Sequence, residues 1–166
     1  MSQRIYEGLG SISKIIQILE ESNSKNVLLV TGKKSFILSG AEKALKPLLK
    51  RFNITRFEDF EINPTFEDAV KGTLIAKKNN IDTVVSIGGG SVIDIAKIIL
   101  AFIAPNQNFH AIVRGQDIPK NPKIPHFSIP TTAGTGSEST HFAVVYLNKN
   151  KHSIAAPFLL PNSAIL

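Results

Sequence analysis

Cysteine is absent from all 166 residues, which excludes disulfides and thiolate metal sites and permits a reducing compartment. Long apolar runs are missing too. The longest, Ile98 to Ala104, falls far short of the roughly 20 residues a membrane helix needs. The amino terminus, MSQRIYEG, has no signal-peptide core. These gaps predict a soluble, cytoplasmic protein with no membrane partner. Charge is modest: 19 Lys and Arg against 13 Asp and Glu give a net +6. The basic residues are dispersed, with short clusters only at Lys33-Lys34, Lys50-Arg51 and Lys77-Lys78, as solvated helix faces would be. A basic balance also suits a phosphorylated small molecule. No RNA-binding or zinc-finger pattern interleaves with these residues, so nucleic acid is not expected.

The content is globular, with 43% hydrophobic and 19% charged residues and a length suited to one domain. Three apolar runs read as strands: Val27 to Thr31, Ile54 to Phe57 and Thr83 to Ile87. Helical spacing lies between them. Ile12, Ile15, Ile16 and Leu19 precede the first strand; Ala41, Ala44, Leu45, Leu48 and Leu49 follow it, with Pro47 shortening that helix. Thr65 reads as an N-cap with Asp68 three residues on, and Val70, Leu74 and Ile75 form the predicted inner face. The helix from Ser91 to Ile103 is apolar nearly all round except at Asp94 and Lys97, which predicts burial on most sides. Prolines from Pro105 onward predict loop and a short strand, His126 to Ile129. Phe142 to Leu147 and Lys151 to Ala155 look like a hairpin turning at residues 148–150. The fold class is α/β: a doubly wound, Rossmann-like, mostly parallel sheet with helices on both faces, plus a small β-hairpin region.

Two segments can carry chemistry. Gly88-Gly89-Gly90-Ser91 stands where a buried strand meets a helix, the place where backbone amides and a helix dipole hold an anion. A tight turn alone would also use glycine. The spacing is neither GxGxxG, since Ile93 occupies the third glycine position, nor a P-loop. Thr131 to Thr140, TTAGTGSEST, is dense in hydroxyls suited to ribose and phosphate. It does not match the GxSxG nucleophile elbow, and no Ser-His-Asp order is present. The four histidines, His110, His126, His141 and His152, form no HxxxH or HxxH pair and read as ordinary surface or loop residues.

Together, GGGSVIDIAK (88–97), IPTTAGTGSEST (129–140) and Asn63-Pro64-Thr65 closely resemble the iron-containing (group III) alcohol dehydrogenase family. Dehydroquinate synthase and glycerol dehydrogenase share the glycine triplet; TTAGTGSE points to the alcohol dehydrogenase branch. The resemblance implies that residues 1–166 are a dinucleotide-binding domain of an oxidoreductase acting on a small alcohol or aldehyde. It implies that Gly88, Gly89, Gly90 and Ser91 hold the pyrophosphate, and that Thr131, Thr132 and Thr135 line the ribose and nicotinamide side. Asn63 would sit near the adenosine half, and Lys151 matches a basic residue that contacts the cofactor. Asp94 either tunes the site or caps the helix and pairs with Lys97. His141 and Phe142 are candidates for substrate contact.

Cofactor choice is read at the end of the first strand, where relatives that prefer NAD carry an acidic residue. Gly32, Lys33, Lys34 and Ser35 offer no carboxylate there and would accept a 2′-phosphate, so NADP is expected over NAD. If both lysines point into water, either cofactor binds. The family's metal, Fe2+ or Zn2+, is held by an Asp and three His in a helical carboxyl-terminal domain, and those ligand motifs do not occur before Leu166. The expectation is a chain lacking that metal-binding domain, weakly active or inactive alone, with an exposed apolar face that favours self-association. A non-catalytic nucleotide-binding remnant or module is the alternative.

Overall fold

The run NVLLVT has no polar residue between Asn26 and Thr31, so both of its faces must be covered. A computed structural model, describing residues 3–47 and 50–166, shows how. Leu48 and Leu49, expected on the helix after this strand, lie outside the described residues. In chain order the elements are β1 (Arg4–Tyr6), α1 (Lys14–Glu21), β2 (Asn26–Thr31), α2 (Ser35–Leu38), α3 (Ala41–Leu45), β3 (Asn53–Phe57) and α4 (Phe66–Lys78). Then come β4 (Thr83–Gly88), α5 (Gly90–Ile103), α6 (Phe109–Val113), β5 (His126–Pro130), β6 (Phe142–Leu147), β7 (Asn150–Ala155) and β8 (Ser163–Ile165).

Six strands form a sheet in the order β1-β8-β5-β4-β2-β3, parallel throughout. Successive side chains of β2 serve opposite layers. Leu28 and Val30 join α4, α5 and the β6-β7 hairpin in one core; Val27 and Leu29 join α1, Phe36 and Leu45 in the other. The α/β, doubly wound expectation holds. No helix among the described residues is long and apolar enough to cross a membrane.

Several local expectations need correcting. The Thr65 capping box is complete: its hydroxyl accepts from the Asp68 amide at 3.1 Å, and the Asp68 carboxylate accepts from the Thr65 amide at 3.0 Å. Of the expected inner face of α4, Val70 and Ile75 pack half-buried against the core, but Leu74 is 61% exposed, and Phe66, Ala69, Gly72, Thr73 and Ala76 are the buried positions. Small residues win this face because α4 lies close upon α5 and β3: a Cβ on Gly72 would stand 2.5 Å from the Ile99 side chain of α5 and 2.8 Å from the Phe57 ring of β3. The proline-rich stretch contains α6, capped by Asn108 accepting from the Ala111 amide and anchored by Phe109 stacked on Phe102. The hairpin turns through two residues, not three. Asn148 and Lys149 take left-handed φ of 51° and 66°, and Asn150 already pairs with Leu147.

Two strands escaped the sequence reading. β8 slots between β5 and β1, fastened by Asn162, which donates to the His126 carbonyl at 2.7 Å and accepts the His126 amide at 2.8 Å. His126 is no surface residue; it is 1% exposed, within the sheet.

Candidate functional site

Leaving out β1, the strands β3-β2-β4-β5-β8 carry the doubly wound order 2-1-3-4-5. The crevice of such a sheet opens between its first and third members, here β2 and β4. Register sets Thr31 beside Ile87 and Gly88 beside Pro130. Three neighbouring carboxyl ends thus deliver Gly32–Ser35, Gly88–Ser91 and Thr131–Thr140 to one edge.

The glycines make a turn and admit the hydroxyl loop close to the backbone. Gly88 makes the turn, since a Cβ there would lie 2.8 Å from the Val92 Cβ, and its carbonyl accepts from the Thr131 amide at 3.0 Å. Gly89 and Gly90 provide close approach. Added Cβ atoms would meet Thr132 Oγ1 at 3.0 Å and Ser137 Oγ at 3.1 Å, with Thr135 at 3.3 Å from Gly90. The two motifs therefore form one surface. The Gly89 carbonyl accepts from Val92 and Ile93 and opens α5, so the amides of Gly90 and Ser91 have no partner within the helix. Free amides at the positive end of a long, buried helix can accommodate an anion.

The hydroxyl loop rests on α5 through contacts that the sequence reading missed. Lys97 is fully buried, and its Nζ donates to the carbonyls of Ser137 and Thr140 at 2.6 Å, to Phe142 O at 3.0 Å and to Thr140 Oγ1 at 3.0 Å. Asp94 does not pair directly with it. Its carboxylate accepts from the Val144 amide of β6 at 3.2 Å. Burial raises the Asp94 pKa, and the Val144 bond, Lys97, Ser137 and the charge of Lys151 oppose that rise. Lys151 thus stands close enough to Asp94 to act on it, from β7. Thr131 Oγ1 is buried without a partner among the described residues. It lines an open cavity of about 700 Å³ on the α1–α3 side, with Thr132, Ile129, Ser39 and Leu166. His141 and Phe142, exposed at the far end of the loop, meet edge to face with centroids 6.2 Å apart.

The β2 end is more crowded with charge than the sequence implied. Lys33 does not simply point into water: its Nζ bonds Asp59 at 3.0 Å, and Lys71 bonds the same carboxyl group. Held by the two lysines, Asp59 is acidified to about 2, and it raises the Lys33 pKa in return. Arg56 joins them, donating to Thr31 Oγ1 at 2.9 Å, pairing with Glu58 and lying over the Phe36 ring. These groups come from β3 and beyond. Only the adjacency of β3 and β2 could have revealed them. Ser35 Oγ lies directly over Gly32. Asn63 is exposed beside the hairpin, where the Pro64 carbonyl accepts from the Tyr146 amide at 2.9 Å. Among the described residues, no three His, Asp or Glu side chains gather as a metal site.

The sequence model of a family described as iron-containing alcohol dehydrogenase matches residues 2–166. Alcohol dehydrogenase 4 of Schizosaccharomyces pombe is 39% identical over 140 residues, which are 83% of this chain and 33% of that protein. The structure of NADH-dependent butanol dehydrogenase A from Thermotoga maritima superposes with a TM-score of 0.90 at 26% identity, over 98% of this chain and 42% of its own. Sulfoacetaldehyde reductase from Bifidobacterium kashiwanohense, solved in complex with NAD+, gives 0.87 at 28% identity, over 98% and 44%. The chain spans less than half the length of these relatives.

Proposed function

The chain belongs to the iron-containing alcohol dehydrogenase family, and from that premise we propose that residues 1–166 bind a nicotinamide dinucleotide with its pyrophosphate on Gly88, Gly89, Gly90 and Ser91. The observation that carries this reading is the open end of α5 at the sheet's switch point, roofed by the hydroxyl loop. The amides of Gly90 and Ser91 donate to phosphate oxygens. Thr131, whose buried hydroxyl has no partner among the described residues, joins Thr132 and Thr135 along the ribose and nicotinamide side. Lys151 adds positive charge and Asp94 tunes it; Asn63 reaches the adenosine half. His141 and Phe142 face the substrate.

The reaction of the whole protein is hydride transfer between an alcohol or aldehyde and the nicotinamide, which supplies or accepts the hydride. This chain's part is to bind the cofactor, fix its orientation and shield one side of it. A metal of the kind the family's name implies would supply Lewis-acid polarisation of the substrate oxygen, and among the described residues no cluster of His, Asp or Glu would hold it.

NADP is preferred over NAD. The strand-end residue Gly32 offers no carboxylate to a ribose 2′-hydroxyl, while Lys33, Lys71 and Arg56 gather close by. Asp59 is already held between the two lysines, so a 2′-phosphate competes for cations already in place.

Titration with NADPH and with NADH, followed by reduced-nicotinamide fluorescence, tests both levels. Saturable binding, tighter for NADPH and lost in Gly89→Val, is the expected result. Failure of both to bind at about millimolar concentration, where the binding free energy is only about −4 kcal/mol, overturns the assignment.

A further inference from the structure

From Ile95 to Phe102 α5 is buried and apolar except at Lys97, so a lysine there needs a reason. Gly90, Asp94 and Lys97 share one face at helical spacing. That face reads the hydroxyl loop and its exit strand: Gly90 against Thr135 and Ser137, Asp94 on the Val144 amide, Lys97 on residues 137, 140 and 142. An ammonium has three donors and is expensive to bury unless its hydrogens are all engaged. Here four oxygens surround it, three of them main-chain carbonyls that an apolar side chain would leave without this donor. The arrangement fixes a turn, and it does so without a carboxylate partner within ion-pair distance among the described residues.

We propose that Lys97 is a positioning residue for the cofactor loop: its enclosed ammonium pins residues 137–142 to α5, holds Thr135 and Ser137 against Gly90, and so keeps the anion seat in shape. The inference rests on the dinucleotide reading of that seat. The charged groups facing Lys97 are Asp94 on its own helix and Glu138 on the loop, with buried His126 within its field and Lys151 across Asp94. Burial lowers the Lys97 pKa to about 8 against the pull of Asp94 and Glu138. Above that pH a neutral amine offers two hydrogens to four acceptors, and the pin loosens.

The test combines amide hydrogen exchange with cofactor titration in wild type and Lys97→Met, which keeps length and loses the donors. Expected are faster exchange confined to residues 131–142 with β2 and β4 unchanged, and NADPH affinity reduced by an order of magnitude or more. In wild type the affinity falls severalfold between pH 7 and pH 9, and in Lys97→Met that slope is gone. Unchanged loop exchange overturns the proposal, as does loosened exchange with cofactor affinity within twofold of wild type. If wild type binds neither NADPH nor NADH, the dinucleotide reading fails, and confinement of the faster exchange to the loop alone decides whether Lys97 pins it. Should Lys97→Met not fold, Thr140→Val removes one of the four oxygens. Faster exchange at residues 137–142 then supports the pin, and none overturns it.

Discussion

Lowering the pH from 7 to 5 should cost this fold about 2 kcal/mol through His126 alone, beyond whatever the carboxylates contribute. The ring is buried between β4 and β5, with Nε2 at 2.8 Å from Ser86 Oγ and no partner for Nδ1 among the described residues. Burial first, and the charge of Lys97 second, push its pKa from 6.5 down to about 3. In the native chain the imidazole is therefore neutral throughout mild acid, whereas the unfolded chain takes up a proton below about 6.5. The unfolded state binds more protons across that window, so the contribution is complete above about pH 6.5 and is lost progressively as the pH falls toward 3. Each pH unit is worth about 1.4 kcal/mol, so the 1.5 units or so down to pH 5 give about 2 kcal/mol. Urea unfolding at both pH values, in wild type and in His126→Gln, isolates the term, because the variant keeps a hydrogen-bonding group for Ser86 and cannot titrate. Wild type should lose about 2 kcal/mol more than the variant. Equal losses would refute the reasoning and mean that the imidazole takes its proton as freely in the fold as in water.

The β2 end and the α4 cap offer two further checks. Gly32→Asp places a carboxylate where a 2′-phosphate would lie, and Ser35 Oγ above it can rotate aside. NADPH affinity should drop tenfold or more with NADH affinity held or improved, measured by the same fluorescence titration. Thr65→Ala removes the hydroxyl that accepts from the Asp68 amide, and should destabilise the fold by about 1 kcal/mol in urea unfolding while leaving cofactor affinity unchanged.

What could be read in the sequence was what is local or uniformly apolar. β2 and β4 declared themselves because strands covered on both faces have no polar alternation to confuse with a loop, and the Thr65 cap needs only four consecutive residues. The glycine triplet and the hydroxyl loop could each be picked out, but their mutual contact is a product of β4 and β5 lying side by side. The hidden features are long-range ones. β1 and β8 are three-residue strands formed by pairing across the chain, β8 with β5 and β1 with β8, and Asp59 meets Lys33 only because β3 pairs with β2. Lys97 looked like an i+3 partner for Asp94, since nothing local says that carbonyls 40 or more residues on will close around it. His126 was expected on a short strand, as it is, but as an ordinary surface or loop side chain, because its burial depends on Asn162 and β8 arriving alongside.

The placement of β8 between β5 and β1 bears on synthesis. β1 is made well before its pairing partner, Ser163 to Ile165, so Arg4 must wait for a neighbour about 160 positions later in the chain. Until then β5 has an open edge and the first strand trails unpaired. The sheet can assemble β2, β3, β4 and β5 as each is translated, but its last two strands join together in a single late step. A nascent chain stalled before residue 163 would expose that edge to any other strand within reach.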